Sequence, residues 1–273
     1  MEKEAILLVT FGTTVDQATA AFKKLEEQVR VVFPGIELRW AYTAKSIRGV
    51  LAKRGIQIDS PITALARLQD EGYTRVVVQS VHIIPGMEYY DLVNVVDNMS
   101  HLRGISGKQF QSKIGKFGFH QLTLGAPLLY HLTDYQEVVA CIKDLVPADP
   151  QHALVLVGHG SDHHSFSVYG CLNDMLRQTY PNVILGTIEG YPSLTDVKAD
   201  LARKDFQKVT LVPFMNIAGD HAINDLAGSE PDAWQNELAQ NYPVTTLLKG
   251  LLEFDNIVEI YIKHIRQAYE LLN

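Results

Sequence analysis

Apolar runs and segments with helical spacing alternate along the entire chain. The opening example is Ala5–Phe11, a run that ends at Gly12 and is followed by apolar residues three or four positions apart. Runs of about five to seven apolar residues that stop at a glycine are typical of strands buried on both faces. Helices between such strands favour parallel pairing, so the pattern predicts an α/β protein.

The same pattern predicts strands and helices in turn. Strands are expected at Ala5–Phe11, Ile36–Tyr42, Thr74–Ile84, Leu122–Leu129, Ala153–Val157, Val183–Ile188, Lys208–Met215 and Val244–Leu248. Helices are expected from Asp16 onward, at Ser46–Lys53, Pro61–Glu71, Met87–Asn98, Tyr135–Val146, Tyr169–Thr179 and Ser193–Lys204, in a segment reaching about Leu226, and at Asn256–Leu272. Ser60 and Ser193 are the expected N-caps of two of these helices.

The two halves of the chain match each other in register. LLVTFGTT in the first half pairs with VLVGHGSD in the second, which aligns Gly12 with Gly160. TRVVVQSVHIIPGME pairs with QKVTLVPFMNIAGDH, which aligns Glu88 with His221. Self-similarity of this kind indicates an internal duplication of one βα unit.

We therefore predict two similar lobes, each a four-stranded parallel sheet flanked by helices, with a cleft between them. The N-terminal lobe is expected at residues 1–147 and the C-terminal lobe, with the candidate metal-binding residues, at residues 148–273. Pro147–Gln151 is the candidate linker. Packing of the closing helix against the first lobe is an open alternative.

Composition and charge argue against several classes of function. The net charge is −7 and no basic run occurs, so neither a nucleic acid nor an anionic membrane is an expected partner. No apolar run approaches the roughly 20 residues that span a bilayer. Ala5–Phe11 is short and lacks a small-residue cleavage site, so we expect a strand there and not a signal peptide. Cys141 and Cys171 have no CxxC spacing, which favours a reducing cytoplasm.

Three strands of the second half each end near a residue that can bind a metal. His159 follows the run ALVLVG, Glu189 closes VILGTI, and His221 comes after the glycine that stops LVPFMNIAG. Open α/β sheets place their ligand crevice at the carboxyl ends of the strands. Adjacent strand ends lie about 5 Å apart, so the three side chains can converge on one ion. Two imidazoles and one carboxylate suit Co²⁺, Fe²⁺, Ni²⁺ or Zn²⁺ and leave coordination positions open.

Each candidate also has a plain structural interpretation. His221 can be a capping or loop histidine, and Glu189 can be a capping or salt-bridged glutamate. Glu88, the first-half counterpart of His221, can face the same cleft or simply be stabilised by the dipole of its helix. The GHG sequence around His159 lacks both GxGxxG and GxxxxGK[ST], so no nucleotide is expected.

Five motifs together resemble the anaerobic cobalt chelatase family of the CbiK type, a group of class II chelatases related to ferrochelatase. They are, in order, LLVTFGTT, QSVHIIPGMEY, LVGHGSDHHSF, TIEGYPS and FMNIAGDHAINDLAG. The resemblance covers nearly the whole chain. The resemblance implies two similar α/β lobes and ATP-independent insertion of Co²⁺ into the tetrapyrrole sirohydrochlorin, in the anaerobic route to cobalamin. A homo-oligomer stays open, because some members of the family form haem-binding oligomers.

The resemblance also implies roles for particular residues. The two active-site histidines of the family fall on His159 and His221, its metal-binding glutamate on Glu189, and a further active-site glutamate on Glu88. We expect the histidines to hold Co²⁺ and to accept the pyrrole protons, since imidazole titrates near neutral pH. Glu189 would complete a weak coordination shell, and Glu88 would orient the opposite face of the ring or guide metal entry.

Other expectations concern the substrate and competing functions. Because the chain is acidic and sirohydrochlorin is rich in carboxylates, Lys45 and Arg48 are the candidates for binding those carboxylates. The donor set itself also fits a ferrochelatase acting on sirohydrochlorin or a porphyrin, with Fe²⁺, Ni²⁺ or Zn²⁺ replacing Co²⁺. A zinc hydrolase and a carrier that binds a tetrapyrrole or a metal without turnover are the remaining alternatives.

Overall fold

A computed structural model describes residues 2–102 and 118–272 of the chain. In that part, the first four strands are β1 (Lys3–Thr10), β2 (Glu37–Tyr42), β3 (Tyr73–Ser80) and β4 (Gln121–Gly125). The next four strands are β5 (His152–Gly160), β6 (Val183–Glu189), β7 (Lys208–Pro213) and β8 (Val244–Thr246). They form two sheets, in the orders β2-β1-β3-β4 and β6-β5-β7-β8, and every pairing is parallel. The predicted pair of four-stranded parallel sheets is confirmed.

Helices separate the strands throughout the described residues. They are α1 (Thr19–Val32), α2 (Lys45–Lys53), α3 (Pro61–Asp70), α4 (Met87–Ser100), α5 (Leu132–Cys141), α6 (Ser167–Thr179), α7 (Leu194–Ala202), α8 (Trp234–Ala239) and α9 (Asp255–Glu270). A π-helical turn spans Ala222–Leu226, and short 3₁₀ segments span Ile142–Leu145, His164–Phe166 and Leu251–Glu253. Within the described ranges, no helix is both long and apolar enough to cross a lipid bilayer.

The two N-caps that the sequence predicted are present. Ser60 and Ser193 cap α3 and α7, and each side chain accepts a hydrogen bond from the backbone of the third residue in its helix. The helix α8 had no sequence prediction, because six residues are too few to show helical periodicity.

The two sheets have the same topology when β5 to β8 are matched in order to β1 to β4. In each sheet the first strand of the repeat lies between the second and third, and the fourth lies at an edge. This agreement supports the duplication that the sequence register indicates.

The inner strands explain why the apolar runs are continuous. Residues 5–9 of β1 and residues 153–157 of β5 are at most 1% exposed. Each of these strands has a neighbour on both sides and packed side chains on both faces, so every position along it is buried.

Several predicted boundaries differ from the structure; for instance, β4 ends at Gly125 and not at Leu129, and α5 ends at Cys141 and not at Val146. The strand β3 ends at Ser80 and not at Ile84, so His82 lies beyond the strand, not inside it. The helix α1 begins at Thr19 and not at Asp16, because the preceding residues form consecutive bonds of the tighter i to i+3 type. The predicted turn at residues 158–160 belongs to β5, since its last residue pairs with the last residue of β6.

The chain divides into two compact units. As far as they are described, the first comprises residues 2–14, 26–102, 118–127 and 261–272, and the second comprises residues 15–25 and 128–260. Relative to the predicted lobes, α5 lies in the second unit, and the closing helix α9 continues from the second unit into the first. Within the first unit, Tyr261 of α9 donates a hydrogen bond to the backbone oxygen of His82 at 3.0 Å.

Candidate functional site

Two histidines meet at the carboxyl ends of neighbouring strands in the second unit. His159 is the penultimate residue of β5, and His221 lies beyond β7, which pairs with β5. Their Nε2 atoms are 3.2 Å apart, and their rings are perpendicular with centroids 4.5 Å apart. Both rings are partly exposed, so a ligand from solvent can reach them.

The spacing of the two nitrogens suits a single metal ion. Two imidazole nitrogens bound to one ion at about 2.05 Å and separated by this distance subtend an angle of about 100°, close to the tetrahedral value. The pair alone leaves two or more coordination positions for other donors or for a substrate.

His159 is held by close packing of the backbone on either side of it. A Cβ atom at Gly160, whose φ is +92°, would lie 1.6 Å from the backbone oxygen of Glu189. A Cβ atom at Gly158 would lie 2.6 Å from the ring of Tyr169, whose side chain also forms a hydrogen bond with the backbone of Gly160. Burial raises the pKa of Tyr169 to about 12, and the hydrogen bond partly offsets that effect. Glycine on both sides of His159 therefore reflects close packing.

The segment between β7 and His221 is fixed by buried residues. Phe214 is fully buried, and its backbone N–H bonds to the oxygen of Val157 at 2.7 Å. Asn216 accepts a backbone hydrogen bond from Leu252, and a Cβ atom at Gly250 would lie 2.7 Å from the Asn216 oxygen. His221 is therefore not at the end of β7 itself. It lies eight residues beyond that strand, and the packing of the intervening segment brings it to β5.

Asp225 is a member of the site that the sequence did not single out. Its Oδ2 atom lies 2.6 Å from Nδ1 of His221, on the side of the ring away from His159. The signal available in the sequence was the spacing of four residues, which brings side chains together on one face of a helical turn. That signal is weak by itself, because many such pairs are solvent-exposed and have no function.

Glu189 is close to the site in its backbone but not in its side chain. Its backbone pairs with Gly160, the residue after His159, so Ile188 and not Glu189 is in register with His159. Successive side chains of a strand point to opposite faces, and Glu189 is exposed. In the described part of the chain, no three His, Cys, Asp or Glu residues are grouped to hold a metal ion. A role of Glu189 in metal binding stays a prediction.

Glu88 lies in the first turn of α4, in the first unit. Its Oε2 atom is 3.3 Å from Nε2 of His82, at an angle unfavourable for a hydrogen bond. The other ring nitrogen of His82 lies 2.8 Å from Oγ of Ser80, which is fully buried. His82 therefore lies between Ser80, at the end of β3, and Glu88.

The two predicted cations follow β2 in the same unit. Lys45 is the first residue of α2 and is exposed, and Arg48 lies one turn later and is half-buried. Among the described residues, no hydrogen bond reaches the buried Nε atom of Arg48. Both residues are close in sequence to the carboxyl end of their sheet, where ligands of α/β proteins bind.

Other histidines are engaged elsewhere. Nδ1 of His163 accepts a hydrogen bond from the backbone of Ser165, which fixes it in its own loop. His264 of α9 is 1% exposed, and its Nδ1 atom lies 3.1 Å from the backbone oxygen of Ala126. His264 is four residues after the buried Ile260 and three after the buried Tyr261, so helical spacing places it on the buried face of α9.

Comparisons with known proteins identify the family of the chain and a similar fold. The family model described as cobalt chelatase (CbiK) matches residues 4–270. The chain is 34% identical to sirohydrochlorin cobaltochelatase CbiKC of Nitratidesulfovibrio vulgaris, covering 100% of this chain and 93% of that protein. It is 35% identical to sirohydrochlorin cobaltochelatase of Salmonella typhimurium, covering 97% and 96%. Among solved structures, SirB from Bacillus subtilis with Fe³⁺ has a similar fold, with a TM-score of 0.64, 16% identity, and coverage of 98% of this chain and 96% of SirB.

Proposed function

Because the chain belongs to the cobalt chelatase (CbiK) family, we propose that it inserts Co²⁺ into sirohydrochlorin without a nucleotide. Both curated relatives carry the name sirohydrochlorin cobaltochelatase and align over nearly their full length. The observation in the structure that supports the proposal best is the pair of Nε2 atoms 3.2 Å apart, at the carboxyl end of the second sheet.

The reaction makes two demands on the protein. Co²⁺ must be presented to one face of the macrocycle, and two pyrrole N–H protons must be removed for charge balance. We propose that His159 and His221 hold Co²⁺ as substrate through their Nε2 atoms. As each imidazole gives up the metal to the ring, its lone pair becomes free to accept one pyrrole proton. Two imidazoles thus match the two protons that the metal replaces.

Two glutamates, Glu189 and Glu88, have supporting roles in the proposed reaction. Glu189, at the end of the neighbouring strand, would add a weak oxygen donor and pass protons to solvent after a change of side-chain rotamer. Glu88, in the first unit, would guide the metal or orient the ring. Weak, incomplete coordination is suitable here, because the ion must leave the protein during each turnover.

The carboxylates of the substrate need positive partners on an acidic protein. We propose Lys45 and Arg48 for this role. They lie one turn apart at the start of α2, where the helix dipole also favours negative charge. A guanidinium group binds carboxylates through paired hydrogen bonds, so Arg48 would contribute direction as well as charge.

Anaerobic titration of sirohydrochlorin, followed by its visible spectrum, tests the proposal. We expect the wild-type protein to convert the spectrum to that of the cobalt complex, and Fe²⁺, Ni²⁺ and Zn²⁺ to be accepted at other rates. His159→Ala and His221→Ala should each lower the rate roughly 100-fold or more. His152→Ala, which changes the histidine at the opposite end of β5, is the matched control.

Different outcomes separate the competing functions. A faster rate with Fe²⁺ than with Co²⁺ would indicate a ferrochelatase. Binding of sirohydrochlorin without any metal-dependent change of its spectrum would indicate a carrier. Wild-type rates in both histidine variants, with circular dichroism unchanged, would rule out the assignment of these residues.

A further inference from the structure

Asp225 contacts the ring of His221 on the side away from His159. Its Oδ2 atom lies 2.6 Å from Nδ1 of His221, while Nε2 of the same ring faces His159. A carboxylate oxygen only accepts hydrogen bonds, so Nδ1 is the nitrogen that carries hydrogen. In the neutral ring the lone pair is then on Nε2, the atom directed at His159.

The local backbone makes this contact specific. His221 immediately precedes the π-helical turn Ala222–Leu226, whose first and last residues are fully buried. The buried ends anchor the turn, and the backbone N–H of Ile223 bonds to the oxygen of Gly219 at 3.0 Å. Asp225 therefore meets the imidazole from a fixed position.

A contribution to stability does not account for the pair. The side chains of His221 and Asp225 are 43% and 42% exposed, and ion pairs this exposed contribute little to folding. The two histidines also differ in their support. Among the described residues, the partner of Nδ1 of His159 is the backbone oxygen of Gly160 at 3.3 Å, a longer contact with a neutral acceptor.

We propose that Asp225 is a positioning residue for His221: it orients the ring, fixes the lone pair on Nε2, and makes His221 the stronger of the two metal donors. The inference rests on the proposed function of the histidine pair as the Co²⁺ site. Carboxylates bonded to the far nitrogen of a metal-binding imidazole have this effect in metalloproteins generally. It follows that His159 releases the metal to the ring first and His221 last.

The chain provides a closely matched control in the same turn. Asp220 is the residue before His221, and its Oδ1 atom accepts a hydrogen bond from the side chain of Asn224 at 3.0 Å. Asp220→Asn removes a carboxylate of the same type from the same turn without touching the imidazole.

The test uses Co²⁺ alone, with binding followed by the visible absorption of the protein-bound ion. We expect Asp225→Ala to weaken Co²⁺ binding about tenfold to a hundredfold. Asp225→Asn should recover part of the loss, because an amide oxygen can still accept from Nδ1. Asp220→Asn should bind like the wild type. In the His221→Ala background, Asp225→Ala should have no further effect.

The outcomes distinguish this inference from the function on which it rests. An affinity of Asp225→Ala within twofold of the wild type would overturn the positioning role, even if the wild-type protein metallates sirohydrochlorin. The same loss in the His221→Ala background would also overturn it, since Asp225 would then act on the fold and not through the ring. If Asp225→Ala binds Co²⁺ more weakly but the wild-type protein does not metallate sirohydrochlorin, the positioning role stands and the enzyme assignment is rejected. If His221→Ala binds Co²⁺ normally, the positioning role and the assignment of His221 as a metal donor are both wrong.

Discussion

Gly160 and Glu189 are paired so closely at the ends of β5 and β6 that a Cβ atom on the glycine would lie 1.6 Å from the glutamate oxygen. The backbone of Gly160 also has a φ of +92°, which residues with a Cβ rarely adopt. No flexible side chain can move away to relieve this contact, because the obstructing atom belongs to the backbone. The end of β5 requires glycine at position 160, because every other residue has a Cβ atom there. The position of His159 depends on the same packing.

We therefore predict that Gly160→Ala lowers the free energy of unfolding by ~2 kcal/mol or more, from backbone strain and steric overlap together. Urea denaturation measures the change. The control is Gly170→Ala in α6, where the nearest atom to a new Cβ is the Tyr191 ring at 3.8 Å. Alanine is the better helix former, so this variant should be stabilised by about 0.5–1 kcal/mol. Equal stabilities of the two variants would contradict the packing argument.

The two site histidines should behave as one unit. We predict that the double variant His159→Ala, His221→Ala inserts Co²⁺ only slightly more slowly than either single variant, because removing one donor already disables the site. Initial rates of spectral conversion of sirohydrochlorin measure this. If the losses multiply instead, the residues act independently, which is incompatible with a shared ion.

Glu88 has two interpretations that one pair of variants separates. We predict that Glu88→Gln lowers the turnover rate about tenfold, because the carboxylate acts on the metal or the ring. Its free energy of unfolding should fall by less than ~1 kcal/mol, the size of a helix-dipole effect. Asp91→Asn changes an exposed carboxylate on the same helix and should leave the turnover rate unchanged. A stability loss in Glu88→Gln without a rate change would assign Glu88 a purely structural role.

Stability should decline in alkaline solution for a defined reason. Burial raises the pKa of Tyr135 and of Tyr169 to about 12, and raises that of the Cys141 thiol to about 11. These groups bind protons more tightly in the folded state than in the unfolded one, where tyrosine titrates near 10 and cysteine near 8.5. The stability they contribute is thus complete below about pH 8.5 and is lost as the pH rises toward 12.

Urea denaturation between pH 8 and pH 11.5 measures this decline. We predict a shallower decline for Tyr169→Phe, because phenylalanine cannot ionise and one of the three groups is removed. Tyr130→Phe, which changes a half-exposed tyrosine, should keep the slope of the wild type. A steeper decline in Tyr169→Phe than in the wild type would show that the sign of the effect is wrong.

The sequence predicted more of the sheets than of the helices between them. Continuous apolar runs such as residues 153–157 are long enough to identify buried strands, and glycines mark their ends. The six-residue helix α8 lacks such a signal, because it contains too few residues to show a period. A helix reaching about Leu226 was expected, and the structure has the short π-helical turn Ala222–Leu226 there. The strand β3 was predicted too long, since apolar residues continue beyond the last paired residue, Ser80.

The sequence by itself determined the α/β class, the repeat of one four-stranded unit, and the choice of His159 and His221 as candidates. These properties can be predicted because their signals, a continuous apolar run and a glycine that ends it, lie within short stretches of sequence. Only the tertiary structure decided that the two rings meet at 3.2 Å, that Asp225 contacts one of them, and that Glu189 aligns with Gly160. The reason is that strand register and loop paths are set by packing between residues far apart in the chain, where a shift of one position turns a side chain to the opposite face.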